Sequence, residues 1–292
     1  MPEVVRKILL SIARFAIYSN FFVALGAYAM SSFFIRYIFE KAAWGQRLPL
    51  FIGFATLFTY NFHRRIGMEV YGADEVSASL SWMKTHPLLS RSITLISFAL
   101  SLYFFMDLPK TTYFLIAPIS LVSLMYVLKI SEQMPLRQVP FLKLFLIATA
   151  WSVTTVLIPA LGLDLTLNRA VIACFFALLS YMVAEIIPFD IRDMQSDQRI
   201  ALKTIPNVWG IPFSLRIAFG CLLISQFCIL LAIGWDFSNL AFLSWMAAST
   251  YLLIYLVRCR KPRSDLFYSF FVEFSLLMPF LLAESLARLG LT

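Results

Sequence analysis

Apolar stretches near the roughly 17 to 25 residues that a helix needs to cross a bilayer recur along the whole chain. Short segments holding most of the charge separate them. No other feature narrows the fold so far. Inside hydrocarbon a backbone must satisfy its own hydrogen bonds, which leaves helices and closed barrels, and apolar runs of this length specify helices. The predicted spans are 11–34, 47–64, 90–107, 111–129, 140–161, 169–188, 211–234, 238–257 and 265–285. The expectation is an all-α polytopic membrane protein of about nine transmembrane helices.

Composition excludes the alternative of a water-soluble domain. Only 14% of residues are charged and 61% are apolar, whereas a soluble domain carries roughly 25% charged residues. No hydrophilic stretch is long enough to fold alone, so residues 1–292 read as a single transmembrane helical domain. Ala27-Tyr28-Ala29 imitates a signal-peptidase site, but Arg14 and Asn20 interrupt the preceding apolar run and further spans follow. An uncleaved first helix is expected. Cys174, Cys221, Cys228 and Cys259 have no paired metal-ligand spacing and read as packing residues.

The basic residues fix an orientation. With nine spans, one face collects Arg6, Lys7, Arg14, Arg64, Arg65, Lys84, Arg91, Lys129, Arg137, Lys143, Arg192, Arg199, Lys203, Arg216, Arg258, Arg260, Lys261 and Arg263. The other has Arg36, Lys41, Arg47, Lys110, Arg169 and Arg288. Eighteen against six places the first face, with the N-terminus, in the cytoplasm. The expected location is the bacterial inner (plasma) membrane. The net charge of +8 then follows from topology and anionic membrane lipid, with no nucleic-acid partner implied.

Polar groups at membrane depth are costly, so clusters at span ends are where chemistry belongs. Two stand out, both on the cytoplasmic face. The first closes span 2, where Asn61, Arg65 and Glu69 repeat every four residues and stack on one helical face beside His63 and Arg64. Its bland reading is a span end with snorkelling arginines and an Arg–Glu pair. The second closes span 6, where Asp190, Asp193 and Asp197 share a face and repel one another unless a cation sits among them. A Mg²⁺ ion held by carboxylates and completed by substrate phosphates resolves that repulsion. The bland reading is a hydrated acidic helix end neutralised by Arg192, Arg199 and Lys203.

At these residues the chain resembles the UbiA superfamily of intramembrane prenyltransferases. The run Asp190-Ile191-Arg192-Asp193 with Asp197, then Lys203-Thr204-Ile205-Pro206 and Gly210, looks like the family's D-I-x-D-x-x-x-D followed by K-T-L-P-x-x-x-G. The resemblance implies nine helices with Asp-rich motifs at the cytoplasmic ends of helices 2 and 6. It implies Mg²⁺ on Asp190, Asp193 and Asp197, and a prenyl diphosphate contacted by Lys203 with Arg199 nearby. Lys143 and Trp151 in span 5 resemble the family more distantly. The first motif departs from N-D-x-x-D-x-x-x-D: Asn61 is followed by Phe62 and Arg65 at two aspartate positions and by Glu69 at the third. A guanidinium at 65, helped by Arg64, pairs bidentately with phosphate and so stands in for part of the missing metal charge.

The implied activity is transfer of a prenyl group from a prenyl diphosphate to a lipophilic acceptor, an aromatic one included, with Asn61, Arg65, Glu69 and the three aspartates as catalytic residues. Two alternatives stand beside it: a catalytically lapsed isoprenoid- or lipid-binding protein of the same fold, and a transporter. Transporters place ionisable groups near the midplane, where this chain has few. Glu273 in span 9 is the exception, placed beyond Asp265 where a helix aims it at the same cytoplasmic end.

Overall fold

The computed structural model describes residues 3–41, 47–71, 78–127, 139–199, 202–261 and 263–290. Among them every regular element is helical. Lys129 and Arg137 lie outside the described residues, as do the side chains of Arg6, Lys7 and Glu69.

The first expected span divides. Helix α1 (Glu3–Tyr18) ends at Ser19-Asn20, and α2 (Phe21–Phe33) begins after Asn20 takes a left-handed backbone with φ 65°. Asparagine tolerates that conformation better than most residues. The apolar segment is therefore Phe21–Ile38, the last five residues as a π-turn, and Arg14 belongs to α1 outside it. Next come α3 (Arg47–Tyr71), α4 (Ala78–Thr85), α5 (Pro87–Phe105) and α6 (Tyr113–Val127). Helix α7 (Leu142–Ser152) runs through a π-turn into α8 (Ile158–Gly162). They are followed by α9 (Arg169–Arg192), α10 (Met194–Arg199), α11 (Ile205–Ala232) and α12 (Leu240–Arg258). The last expected span is a π-turn over Phe267–Val272, a 3₁₀ turn over Glu273–Leu276 and α13 (Met278–Arg288), bent by 50°.

Six segments among the described residues are long and apolar enough to cross a membrane, and the bent last pair makes a seventh if it is one span. Helix α3 falls short because its second half turns polar, and α6 because its described part has 15 residues. The structure thus gives a polytopic helical membrane protein with six or seven such segments among the described residues. Large apolar side chains such as Leu95, Phe98, Phe114, Leu223 and Phe227 point outward. Water would not tolerate that surface, and lipid requires it.

Helix α9 is the centre of the bundle, packed against α11, α7 and α12 and against the irregular last span. Its small residues Ala173, Ala177 and Ala184 are buried and let neighbours approach closely. Without a hydrophobic drive between helices in lipid, polar ties matter more. Trp245 of α12, fully buried, donates from Nε1 to Ser225 Oγ at 3.0 Å, and Ser225 donates to the Ala177 carbonyl at 2.7 Å. The indole also stacks on Phe33 with centroids 5.6 Å apart and tilts against Tyr181 at 5.0 Å. Where the last span leaves α-geometry, Tyr181 Oη donates to the Ser275 carbonyl at 3.1 Å, satisfying a group that hydrocarbon would strand.

Trp245→Ala is expected to destabilise the fold by about 3 to 5 kcal/mol, through the cavity and the loss of the hydrogen bond that Ser225 Oγ accepts. Ser225→Ala is expected to cost less. Thermal unfolding in detergent checks both, and equal, negligible shifts would remove Trp245 from its central role.

Candidate functional site

Helix α9 carries the second acidic cluster to its end. It stops at Arg192, Asp193 leaves helical geometry (φ −88°, ψ 4°), and α10 resumes one residue later. The 193–197 spacing survives, since the Asp197 N–H donates to the Asp193 carbonyl at 2.9 Å. Four residues beyond Arg199, the chain passes Lys203, whose side chain is exposed, and enters α11. Gly210 holds φ 78°, a left-handed corner that a Cβ would strain, just before Pro212. The glycine of the second motif therefore turns the chain from the acidic end into the long part of α11.

The three aspartates do not stand at a hydrated helix end. Asp190 and Asp197 are buried and Asp193 is half-buried. Lys143 of α7 reaches Asp190, with Nζ 2.8 Å from Oδ1 and both side chains largely enclosed. Arg192 grips Asp193 with a fork, Nε to Oδ1 at 2.7 Å and Nη2 to Oδ2 at 3.0 Å. Lys143 also lies within electrostatic reach of Asp197. Arg199 is exposed beyond this group.

Helix α3 brings the first cluster to the same end, with its side chains dispersed. Asn61 is fully buried and donates from Nδ2 to the carbonyls of Ser19, at 3.0 Å, and Leu57, at 2.9 Å. It thereby ties α3 to the break between α1 and α2. Arg65 turns to α5, donating to Ser90 Oγ at 3.1 Å, and His63 pairs with Ser123 Oγ of α6 at 3.0 Å. Arg64 donates to the Tyr18 carbonyl at 3.2 Å and lies within electrostatic reach of Arg192 and Glu273. Asn61 and Arg65, one turn apart on α3, thus spend donors on the α1–α2 break and on α5, while Arg64, about 100° round the helix from Arg65, lies within electrostatic reach of the second cluster.

Two residues outside the motifs, Tyr60 and Glu185, join this end of the bundle. Tyr60 Oη accepts from Trp151 Nε1 at 3.3 Å and lies within reach of Glu185 and Glu273. Glu185, one helical turn before Phe189 on α9, is buried and feels Glu273. An isolated carboxylate in an apolar sequence was the available signal. Glu273, from the irregular last span, lies within reach of both Arg192 and Arg64. Four elements therefore gather ionisable groups at one end of an otherwise apolar bundle.

Asp190, Asp193 and Asp197 are the carboxylates that would hold the Mg²⁺ that the resemblance implies. Lys143 pairs with the first and Arg192 with the second, so these cations share the carboxylates with any ion bound there.

Removing one partner of the enclosed pair leaves the other as an uncompensated charge. Lys143→Met is expected to destabilise by about 3 to 5 kcal/mol, and Lys143→Met with Asp190→Asn to recover most of that loss. Thermal unfolding of the four proteins of this cycle measures the coupling. Additive effects would mean that the pair is not buried as described.

At the level of sequence, no family model and no curated protein matches the chain. At the level of structure it is similar to a digeranylgeranylglyceryl phosphate synthase in membranes, with 14% identity and a TM-score of 0.55 over 94% of this chain and 96% of that one. The chain has that protein's fold along almost its entire length.

Proposed function

We propose that the chain is a membrane prenyltransferase, moving an isoprenoid group from a prenyl diphosphate to a lipophilic acceptor at the cytoplasmic membrane face. One observation carries this reading. Lys143, Arg64, Arg192, Asp190, Asp193 and Glu273, from separate parts of the chain, gather at one end of an apolar helical bundle. A ligand with a charged head and a long apolar tail is the chemistry such a space suits. The similarity in fold to a membrane prenyltransferase supports the same reading.

In the reaction the allylic C–O bond breaks, pyrophosphate leaves with the electron pair, and the acceptor nucleophile bonds to the allylic carbon and loses a proton. The barrier lies mainly in the charge growing on the leaving oxygens, which preorganised N–H donors stabilise. Aromatic faces near the head group, such as Tyr60 and Trp151, favour the cationic carbon, and the apolar bundle keeps water from it.

A second reading has its own support. The first cluster lacks two carboxylates, and the second is already paired internally, which suits a protein that binds an isoprenoid without turning it over. Labelled farnesyl and geranylgeranyl diphosphates, incubated with the purified protein in nanodiscs and a lipid extract as acceptor, separate the two. Release of pyrophosphate, falling at least about tenfold in Asp193→Asn or Asp197→Asn, is the expected outcome. Binding without release would favour the second reading, and no binding at all would end both.

Nine spans with a cytoplasmic N-terminus complete the proposal, supported by the eighteen-to-six distribution of basic residues. Cysteine labelling is expected to find 64–90 and 190–210 accessible from the cytoplasm and the C-terminus from outside. A cytoplasmic C-terminus would require an even number of spans.

A further inference from the structure

Four arginines stand at the end of the bundle opposite the acidic cluster. Arg36 and Arg288 meet Glu284, and Arg47 meets Asp107. Arg169, the first residue of α9, has no such carboxylate among the described residues. Asp236, in the turn between α11 and α12, accepts at Oδ1 from the N–H and the hydroxyl of Ser238.

Arg169 instead lines two adjoining cavities. The first, about 520 Å³, opens at the start of α9 and is bounded by Asn168, Ala170, Gly234 and Trp235. The second, about 470 Å³, runs along the seam of α9 and α11 between Ile172, Phe176, Ser180, Ile224 and Cys228. Arg169 and Leu231 border both, so the two form one groove with a charged end and an apolar length.

Local sequence makes this groove. Residues 172, 176 and 180 recur every four along α9 and share a face. Ile172, Phe176 and Ile224 are about half exposed and form its rims, whereas Ala173, Ser180 and Cys228 are small and leave its floor open. The eleven residues from Arg169 to Ser180 rise about 16 Å along a helix. That is close to half of a hydrocarbon core of roughly 30 Å, so the groove is one leaflet deep. At its charged end Trp235 is half exposed and stands edge-on to Phe227 with ring centroids 5.5 Å apart. An amphipathic ring at a span end sits at head-group level.

We propose that this groove seats one phospholipid with an anionic head, its phosphate on Arg169 and one acyl chain along the α9–α11 seam. A guanidinium pairs bidentately with phosphate oxygens. The apolar side of a protein helix would fill the length of the groove and leave that guanidinium unmatched, whereas a lipid matches both parts. The site is separate from the acidic cluster and independent of the activity proposed above. A lipid held there covers the seam of the two helices whose other ends frame the turn from Asp193 to Gly210.

Photocrosslinking tests the assignment. Phosphatidylglycerol and phosphatidylcholine, each with a diazirine at mid-chain, are irradiated with the full chain in nanodiscs, and the labelled peptides are read by mass spectrometry. Phosphatidylglycerol is expected to label 172–180 and 224–231 about fivefold more than phosphatidylcholine, the factor that one basic residue near an anionic head supplies. Arg169→Gln is expected to remove that preference at these segments and to leave labelling of the rest of the chain as in the parent. Cys228→Phe, which fills the floor, is expected to lower labelling there by both lipids. Inorganic phosphate, a head without a chain, is expected not to compete. Thermal unfolding identifies the folded variants, and the comparison of two lipids on the parent needs no variant. Equal labelling by the two lipids on the parent, or a preference that survives in folded Arg169→Gln, overturns the proposal. Labelling that is indifferent to Cys228→Phe overturns the chain seat, and competition by inorganic phosphate makes this a free-anion site. A dimer in which 172–180 is shielded from both lipids makes the groove an interface between copies and overturns the lipid assignment.

Discussion

An ionised carboxylate inside a helical bundle in lipid persists only where a cation and hydrogen bonds meet it. Lys143 and Asp190, 2.8 Å apart and largely enclosed, are that meeting point here. The pair fixes α7 against α9, and α9 is the helix on which α11, α12 and the irregular last span also pack. The end of α9 is thereby held in place, and the turn at Asp193, the short α10 and the corner at Gly210 follow from a fixed starting point. A ligand site assembled from separate helices needs such a reference, since small displacements of a donor weaken its hold on an anion.

The remainder of the bundle is joined by a few polar ties set among apolar and aromatic side chains. Trp245, Ser225 and the Ala177 carbonyl link α12, α11 and α9, and Tyr181 secures the irregular last span through Ser275. At the far end from the acidic cluster, Glu284 of α13 accepts from Tyr37 Oη at 2.7 Å and pairs with Arg36 at 2.8 Å. That contact closes the first and last membrane-embedded parts of the chain on each other. Charge is thus used for anchoring at one end and concentrated at the other.

The two functional readings differ in what the internal ion pairs mean. If the aspartates serve only to hold Lys143 and Arg192 in place, the cations are the working groups and the carboxylates position them. If they must release those cations before anything binds, the same pairs hold the site closed. In either case the first cluster acts differently from its position in the sequence. Asn61 supports the junction of α1 and α2, Arg65 belongs to the contact with α5, and Arg64 donates to the Tyr18 carbonyl.

Hydropathy and local spacing determined the helical membrane fold, because an apolar run long enough to cross lipid has few other structures open to it. They also located the second acidic cluster, since spacings of three and four are a property of one helix. Asn20 was legible as an interruption, though not as a full break, because a left-handed residue depends on what packs around it. The tertiary structure alone decided that Lys143 matches Asp190, that Arg64 donates to the Tyr18 carbonyl and that Arg65 turns to Ser90 of α5. Those outcomes depend on how each helix is rotated about its axis. Rotation is set by packing against residues far away in the chain, and no local pattern encodes which carbonyl or hydroxyl each of two adjacent arginines will meet.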